Sequence, residues 1–164
     1  MRILMVLIPD GATADRPILR IERIVEPYYI FRDAAVDVVL ASPDGGFPWI
    51  GLANEDPTPP PASLLRFRLD CVARDALTDT LRLDQIFPDD FDAALCVGSP
   101  GPIGDCGQAS TVLAAFLAAG KPVAVMPSEH ELVPHGTGDG LLITGDGAAT
   151  PVRAAHALIG SLRS

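Results

Sequence analysis

Glu26-Pro27-Tyr28-Tyr29-Ile30-Phe31-Arg32-Asp33-Ala34-Ala35-Val36-Asp37-Val38-Val39-Leu40-Ala41-Ser42-Pro43-Asp44-Gly45-Gly46 runs from a helix through a strand into a turn. Between about Ile18 and Ala34 the apolar groups fall at Ile21, Ile24, Val25, Tyr28, Tyr29 and Phe31. That is helical spacing, kept despite Pro27, which removes one N–H and should bend the helix. Val36–Ala41 is apolar except for Asp37, and Ser42-Pro43-Asp44-Gly45-Gly46 ends it with strong turn chemistry. Upstream, Arg2–Ile8 is a second apolar run without polar alternation, as in a strand covered on both faces. Strand, helix and strand in that order predict a parallel pair with a right-handed crossover.

The same alternation continues downstream. Leu64 to about Leu77 reads as helix, and Leu81–Ile86 as a short strand or strand-like segment. Phe91–Val97 reads as a buried strand closing on Gly98-Ser99-Pro100-Gly101-Pro102, and Ser110–Ala119 as an Ala-rich helix stopped by Gly120. Pro122–Met126 and Leu141–Thr144 read as strands, and Pro151–Leu162 as a last helix with proline in its first turn. Asn54–Pro61 is a proline-stiffened surface excursion, with the βα pattern resuming beyond it. The sum is one α/β domain over 1–164: a three-layer sandwich with a mostly parallel central sheet.

Composition narrows the function classes. Of 164 residues, 48% are apolar and 20% charged, as in an ordinary globular protein. Twelve basic against 21 acidic residues leave a net charge of −9, which repels phosphate backbones and argues against a nucleic-acid partner. No apolar run approaches the ~18 residues of a membrane span. The apolar start lacks a small-residue cleavage site and meets Pro9-Asp10-Gly11 at once, so it reads as a strand rather than a leader. Three scattered cysteines, Cys71, Cys96 and Cys106, make no disulfide framework and suggest a reducing cytoplasm.

Chemistry in open α/β sheets gathers at the strands' carboxyl ends, here Pro9–Asp15, Gly98–Gly104 and Pro127–His130. These segments carry a family likeness. Pro27-Tyr28-Tyr29-Ile30-Phe31-Arg32-Asp33-Ala34, with Ala41-Ser42-Pro43-Asp44-Gly45-Gly46, is similar to the helix–strand unit P-Y-Y-x-F-x-x-A-G…A-S-P-x-G-G. Asp89-Asp90-Phe91-Asp92-Ala93 leading to Gly98-Ser99-Pro100-Gly101 is similar to D-Y-D-A-I-F-V-P-G-G-H-G. Ala118-Ala119-Gly120-Lys121-Pro122-Val123-Ala124-Val125 and Asp139-Gly140-Leu141-Leu142-Ile143-Thr144-Gly145 match the approach to the nucleophile and the closing D-G-x-L-I-T-G. The sequence thus resembles the ThiJ/PfpI superfamily of class I glutamine-amidotransferase-like proteins, nearest its stress-chaperone and glyoxalase branch. The resemblance implies a flavodoxin-like fold. It also implies dimers formed through the first helix, where Tyr28, Tyr29 and Ile30 would be the anchors of a homodimer.

Departures from that pattern fall on the functional positions. Enzymes of the superfamily carry A-x-C-H-G on a strained strand-to-helix turn, the cysteine counterpart of the serine-hydrolase elbow. Ungapped counting from Gly120-Lys121-Pro122-Val123 puts that cysteine at Pro127 and the histidine at Ser128. Proline is no nucleophile, and its φ near −65° is incompatible with the positive φ such a turn usually needs. The helix carboxylate that polarises the cysteine falls on Arg23, with Glu22 adjacent but about 100° around the helix. The G-G-H-G turn reads Gly98-Ser99-Pro100-Gly101: Ser99 keeps a backbone N–H for an anion nest, and the histidine is lost. Some fifty family residues, a sheet strand among them, are absent between Pro134 and Asp139.

Together these departures imply a catalytically degenerate member: a non-catalytic binding, sensing or chaperone-like module whose vestigial pocket holds Glu22, Arg23, Gly98, Ser99, Pro127 and Ser128. Arg23 beside the Gly98-Ser99 donors would favour a small anionic ligand; the competing reading pairs it with Glu22, Glu26 or a surface aspartate. The alternative function is a cysteine-dependent hydrolase or glyoxalase-type enzyme acting on a small carbonyl or amide through a relocated thiol. Cys106, just before a helix but next to Asp105, is the candidate for it. Cys96 reads as core. Ser128-Glu129-His130-Glu131 reads as a capping box rather than a nucleophile–base pair, since residues two apart on a helix do not face each other. His130 and His135 do not share a helix face, so neither a metal nor another cofactor is implied. Gly136–Gly140 precedes a strand instead of opening a helix, which makes it a loop and not a dinucleotide site.

Overall fold

The computed structural model describes residues 1–9, 19–48, 50–51, 59–98, 107–126, 142–144 and 150–164. Its elements in chain order are β1 (Arg2–Leu7), β2 (Leu19–Arg20), α1 (Ile21–Asp33), β3 (Asp37–Ser42), β4 (Ile50–Gly51), α2 (Ala62–Leu69), α3 (Cys71–Thr78), β5 (Leu81–Arg82), β6 (Ala93–Val97), α4 (Gln108–Ala118), β7 (Val123–Met126), β8 (Leu142–Thr144) and α5 (Thr150–Arg163). Six strands form one sheet in the order β5-β3-β1-β6-β7-β8, and every neighbouring pair is parallel. The expected α/β sandwich is the observed one.

Alternate side chains of the central strands feed two separate cores, as the two-residue period requires. Ile3, Met5, Leu7, Leu95 and Val97 pack with α1, α2, α3 and α5 on one face. Leu4, Val6, Cys96, Val123 and Val125 pack with Leu113, Phe116 and Leu117 of α4, and with Leu83, Ile86 and Phe91, on the other. Ile3 through Leu7 and Ala93 through Val97 are wholly buried, which explains why both runs lack polar alternation.

Two expected elements come out differently. The helix expected over Leu64–Leu77 is two, α2 and α3, broken at Asp70 with φ −92° and ψ 97°. The Asp70 carboxylate accepts from the Ala73 N–H at 3.0 Å, so it caps a new helix instead of continuing the old one. The strand expected over Leu81–Ile86 lasts two residues and passes into a 3-10 turn at Leu83–Gln85; another 3-10 turn at Pro88–Asp90 precedes β6. Lys121, the only lysine of the sequence, fastens this connection. Its Nζ donates to the carbonyls of Pro88 and Phe91, at 2.6 Å each.

The turn after β3 is held from inside. Thr80 Oγ1 donates to the Gly46 carbonyl at 2.6 Å and lies 2.7 Å from Ser42 Oγ. A hydroxyl has one hydrogen, so Ser42 is the donor to Thr80. Gly45 and Gly46 have φ of +72° and +68°, and a Cβ on Gly45 would lie 2.6 Å from Arg82 Cγ. Gly45 is therefore required by the turn, and Gly46 is favoured there by its positive φ.

α1 runs through Pro27 and packs on α5 and α2. Tyr28 and Tyr29 are 6% and 5% exposed, with their rings edge-on at 5.2 Å. Their apolar surface is used within the chain, so they are not the free assembly anchors expected of them. Ile30 is half-buried and packs against the same core.

Candidate functional site

From β1 the chain moves outward to β3 and β5, then returns to the other side of β1 as β6 and continues to β7 and β8. The topological switch point therefore lies between the carboxyl ends of β1 and β6, where open parallel sheets bind ligands. Backbone contacts lock the two ends together: the Ile8 N–H donates to the Val97 carbonyl at 2.8 Å. Gly98 follows with φ +109°, and a Cβ there would stand 2.0 Å from the Ile8 carbonyl oxygen. Only glycine lets the chain turn out of β6 at this point.

α1 is the crossover from β1 to β3, so it runs antiparallel to them and starts at the same end of the sheet. Glu22 and Arg23 occupy its first turn. Each is half-buried, and the two border opposite sides of the helix face formed by Ile21, Ile24, Val25 and Tyr28. The amide dipoles of α1 add positive potential at this end, in the same sense as the Arg23 guanidinium. β2 pairs in parallel with β4, tying the segment that enters α1 to the segment that leaves β3.

Of the residues expected to form the pocket, Glu22, Arg23 and Gly98 come to the same end of the sheet. Ser99, Pro127 and Ser128 lie outside the described residues. So do Cys106, the capping-box segment Ser128–Glu131, His135, Gly136–Gly140 and most of the proline excursion. Cys96 is fully buried, with Sγ 3.7 Å from the Gly98 carbonyl, a core position as expected. Among the described residues no group of three or more His, Cys, Asp or Glu side chains is placed to hold a metal ion.

A second polar cluster, not foreseen in the sequence, joins α1, α2 and α3. Tyr29 donates from its hydroxyl to Asp70 Oδ2 at 3.0 Å. The Arg66 guanidinium lies 4.1 Å from the Tyr29 ring centroid and binds both carboxylate oxygens of Asp33, at 2.8 and 3.0 Å. Burial, then the hydrogen bond to Asp70, raises the Tyr29 phenol well above its ordinary pKa. Asp70 is held below the usual carboxylate value, foremost by the Ala73 N–H. Its only sequence signal was an aspartate three residues before Ala73, inside a stretch read as continuous helix.

No protein-family model and no curated protein matches the sequence. Solved structures do. Rapid Encystment Protein 24 kDa of Francisella tularensis superposes with a TM-score of 0.71 at 14% identity, over 98% of this chain and 98% of that one. Glyoxalase III of Candida albicans gives 0.70 at 12%, over 98% and 96%. A ThiJ/PfpI domain protein of Brachyspira murdochii gives 0.54 at 17%, over 99% and 96%. The chain has the ThiJ/PfpI fold. The motifs around Tyr28 and Gly45 that carried the resemblance thus have a structural account, in the α1–β3 crossover and the Ser42–Thr80–Gly46 lock. Identities this low establish the fold of a ThiJ/PfpI protein and leave chemistry to the residues at the switch point.

Proposed function

We propose that this ThiJ/PfpI-fold protein is a non-catalytic sensing module that takes a small anion, a carboxylate or phosphate, at the carboxyl ends of β1 and β6. The observation that carries the reading is Arg23 in the first turn of α1, at the switch-point end of the sheet. The resemblance puts the polarising acid of the family pattern at this position. An acid there sustains a thiolate nucleophile; a guanidinium favours an anion and offers it a bidentate fork. Pro127 at the nucleophile position supports the same conclusion, since it supplies neither a thiol nor the backbone freedom of the elbow.

The test is turnover of methylglyoxal and other simple aldehydes by the purified protein, beside calorimetric titration with phosphate and short carboxylates. The expected result is aldehyde loss no faster than in buffer, with anion binding weakened at least about tenfold in Arg23→Gln. Aldehyde turnover that disappears in Cys106→Ser would overturn the reading and establish a relocated thiol enzyme.

A further inference from the structure

α1 packs on α2 and α5, whereas α3 packs on β3 and α2. Between α1 and α3 the chain leaves a cavity of about 10 Å³, room for about one methyl-sized group. Ile24, Val25 and Tyr28 of α1 line one part of it, and Ala73 and Leu77 of α3 another. Leu40 of β3 and Phe67 of α2 complete the wall. All of these side chains are buried, and no polar atom faces the void.

An apolar cavity of this kind stays dry, because water finds no hydrogen-bond partner in it, and its walls lack the dispersion contacts of a close-packed core. A charged or hydrogen-bonding ligand would lose its own water there with nothing in return. An uncharged apolar group has no such loss and restores the missing contacts.

The α3 part of the wall is lightly anchored. Of its eight residues only Ala73 and Leu77 are buried, and both line the cavity. α3 joins α2 at Asp70, whose extended backbone (φ −92°, ψ 97°) makes a pivot, and the Tyr29 hydroxyl holds that pivot by donating to the Asp70 carboxylate at 3.0 Å. An element with so few buried side chains opens at lower cost than the sheet beneath it.

We propose that this cavity is a binding site for a small, compact, uncharged apolar molecule, with α3 as the lid that admits it. It shares no residue with the anion site at the strand ends, so failure of either leaves the other standing.

Methyl-resolved NMR of the whole chain under xenon, and then with benzene, tests this. The expected result is a saturable shift of the Ile24, Val25, Leu40 and Leu77 methyls, with Leu113 in the opposite core unmoved. Val25→Ile, which adds one methylene to the wall, should raise the thermal midpoint and weaken xenon binding at least about tenfold. Leu77→Ala, which enlarges the cavity, should tighten benzene binding at least about tenfold. Tyr29→Phe leaves the lining intact and frees the pivot, so amide exchange along α3 should quicken at least about threefold. If Val25→Ile or Leu77→Ala failed to fold, Ala73→Val, which fills the same space, would decide the matter in its place. The absence of a saturable shift in the wild type overturns the proposal, as does a shift that the filling variant leaves intact or that reaches Leu113 equally. Unchanged α3 exchange in Tyr29→Phe also overturns it, because α3 is then no lid.

Discussion

Ala35 closes α1 with φ of +60°, in the left-handed region that L residues avoid. Its N–H donates to Arg32 and the Val36 N–H to Phe31, the paired bonds of a Schellman ending, in which this position is usually glycine. The family pattern quoted above, ending A-G, also has glycine there. Ala35→Gly should therefore stabilise the protein by about 1 kcal/mol, read as a higher urea midpoint at unchanged slope; a lower midpoint would refute the strain. Single residues of this kind were legible only in part. Gly98 was placed by its position after a buried strand, and the Cβ-to-carbonyl clash that demands it shows only in three dimensions.

Whole elements were read well where periodicity was long and poorly where one polar group intervened. The apolar spacings of Leu64, Phe67, Ala73 and Leu77 pass for one helix, because each half keeps the period. The break at Asp70 is made by its own cap on the Ala73 N–H, and the same carboxylate also accepts from Tyr29, forty-one residues away along the chain. That pair should set both limbs of the stability–pH curve. The Asp70 carboxyl is held below its ordinary value, so its contribution is fully present above about pH 4 and is lost as pH falls through the folded-state value. The Tyr29 phenol is held above its ordinary value, so its contribution is present below about pH 10 and is lost as pH rises through the folded-state value. Tyr29→Phe should cost about 1 kcal/mol at neutral pH and flatten the alkaline limb, while Asp70→Asn should flatten the acid limb. Denaturant titrations at pH 3, 7 and 11 compare the two; parallel curves for wild type and variants would remove the pair from the account.

At the scale of the molecule the layers and the β1–β3 parallel pair are legible in the sequence but the full strand order is not, because the pairing of β1 with β6, Ile3 against Ala93, closes across the chain's whole first half. The apolar spacing puts Tyr28 and Tyr29 on the buried face of α1, whereas the helices that cover them are remote in the chain and show only in the fold. Net charge is a property of the whole chain and was legible at once. Its effect depends on whether ion pairs or long-range repulsion dominate. The Arg2–Asp37, Arg66–Asp33 and Arg82–Asp84 pairs are all about half exposed at both ends, so water screens them and each adds little. Repulsion among an excess of nine negative charges acts across the entire surface and is screened beyond about 10 Å at 0.1 M salt. Repulsion should win. Raising sodium chloride from about 10 mM to about 0.5 M at pH 7 should raise the thermal midpoint by about 3 °C, the shift that roughly 1 kcal/mol gives in a chain of this size. A midpoint that falls with salt would mean that the three surface pairs, and not the net charge, govern the stability of the fold.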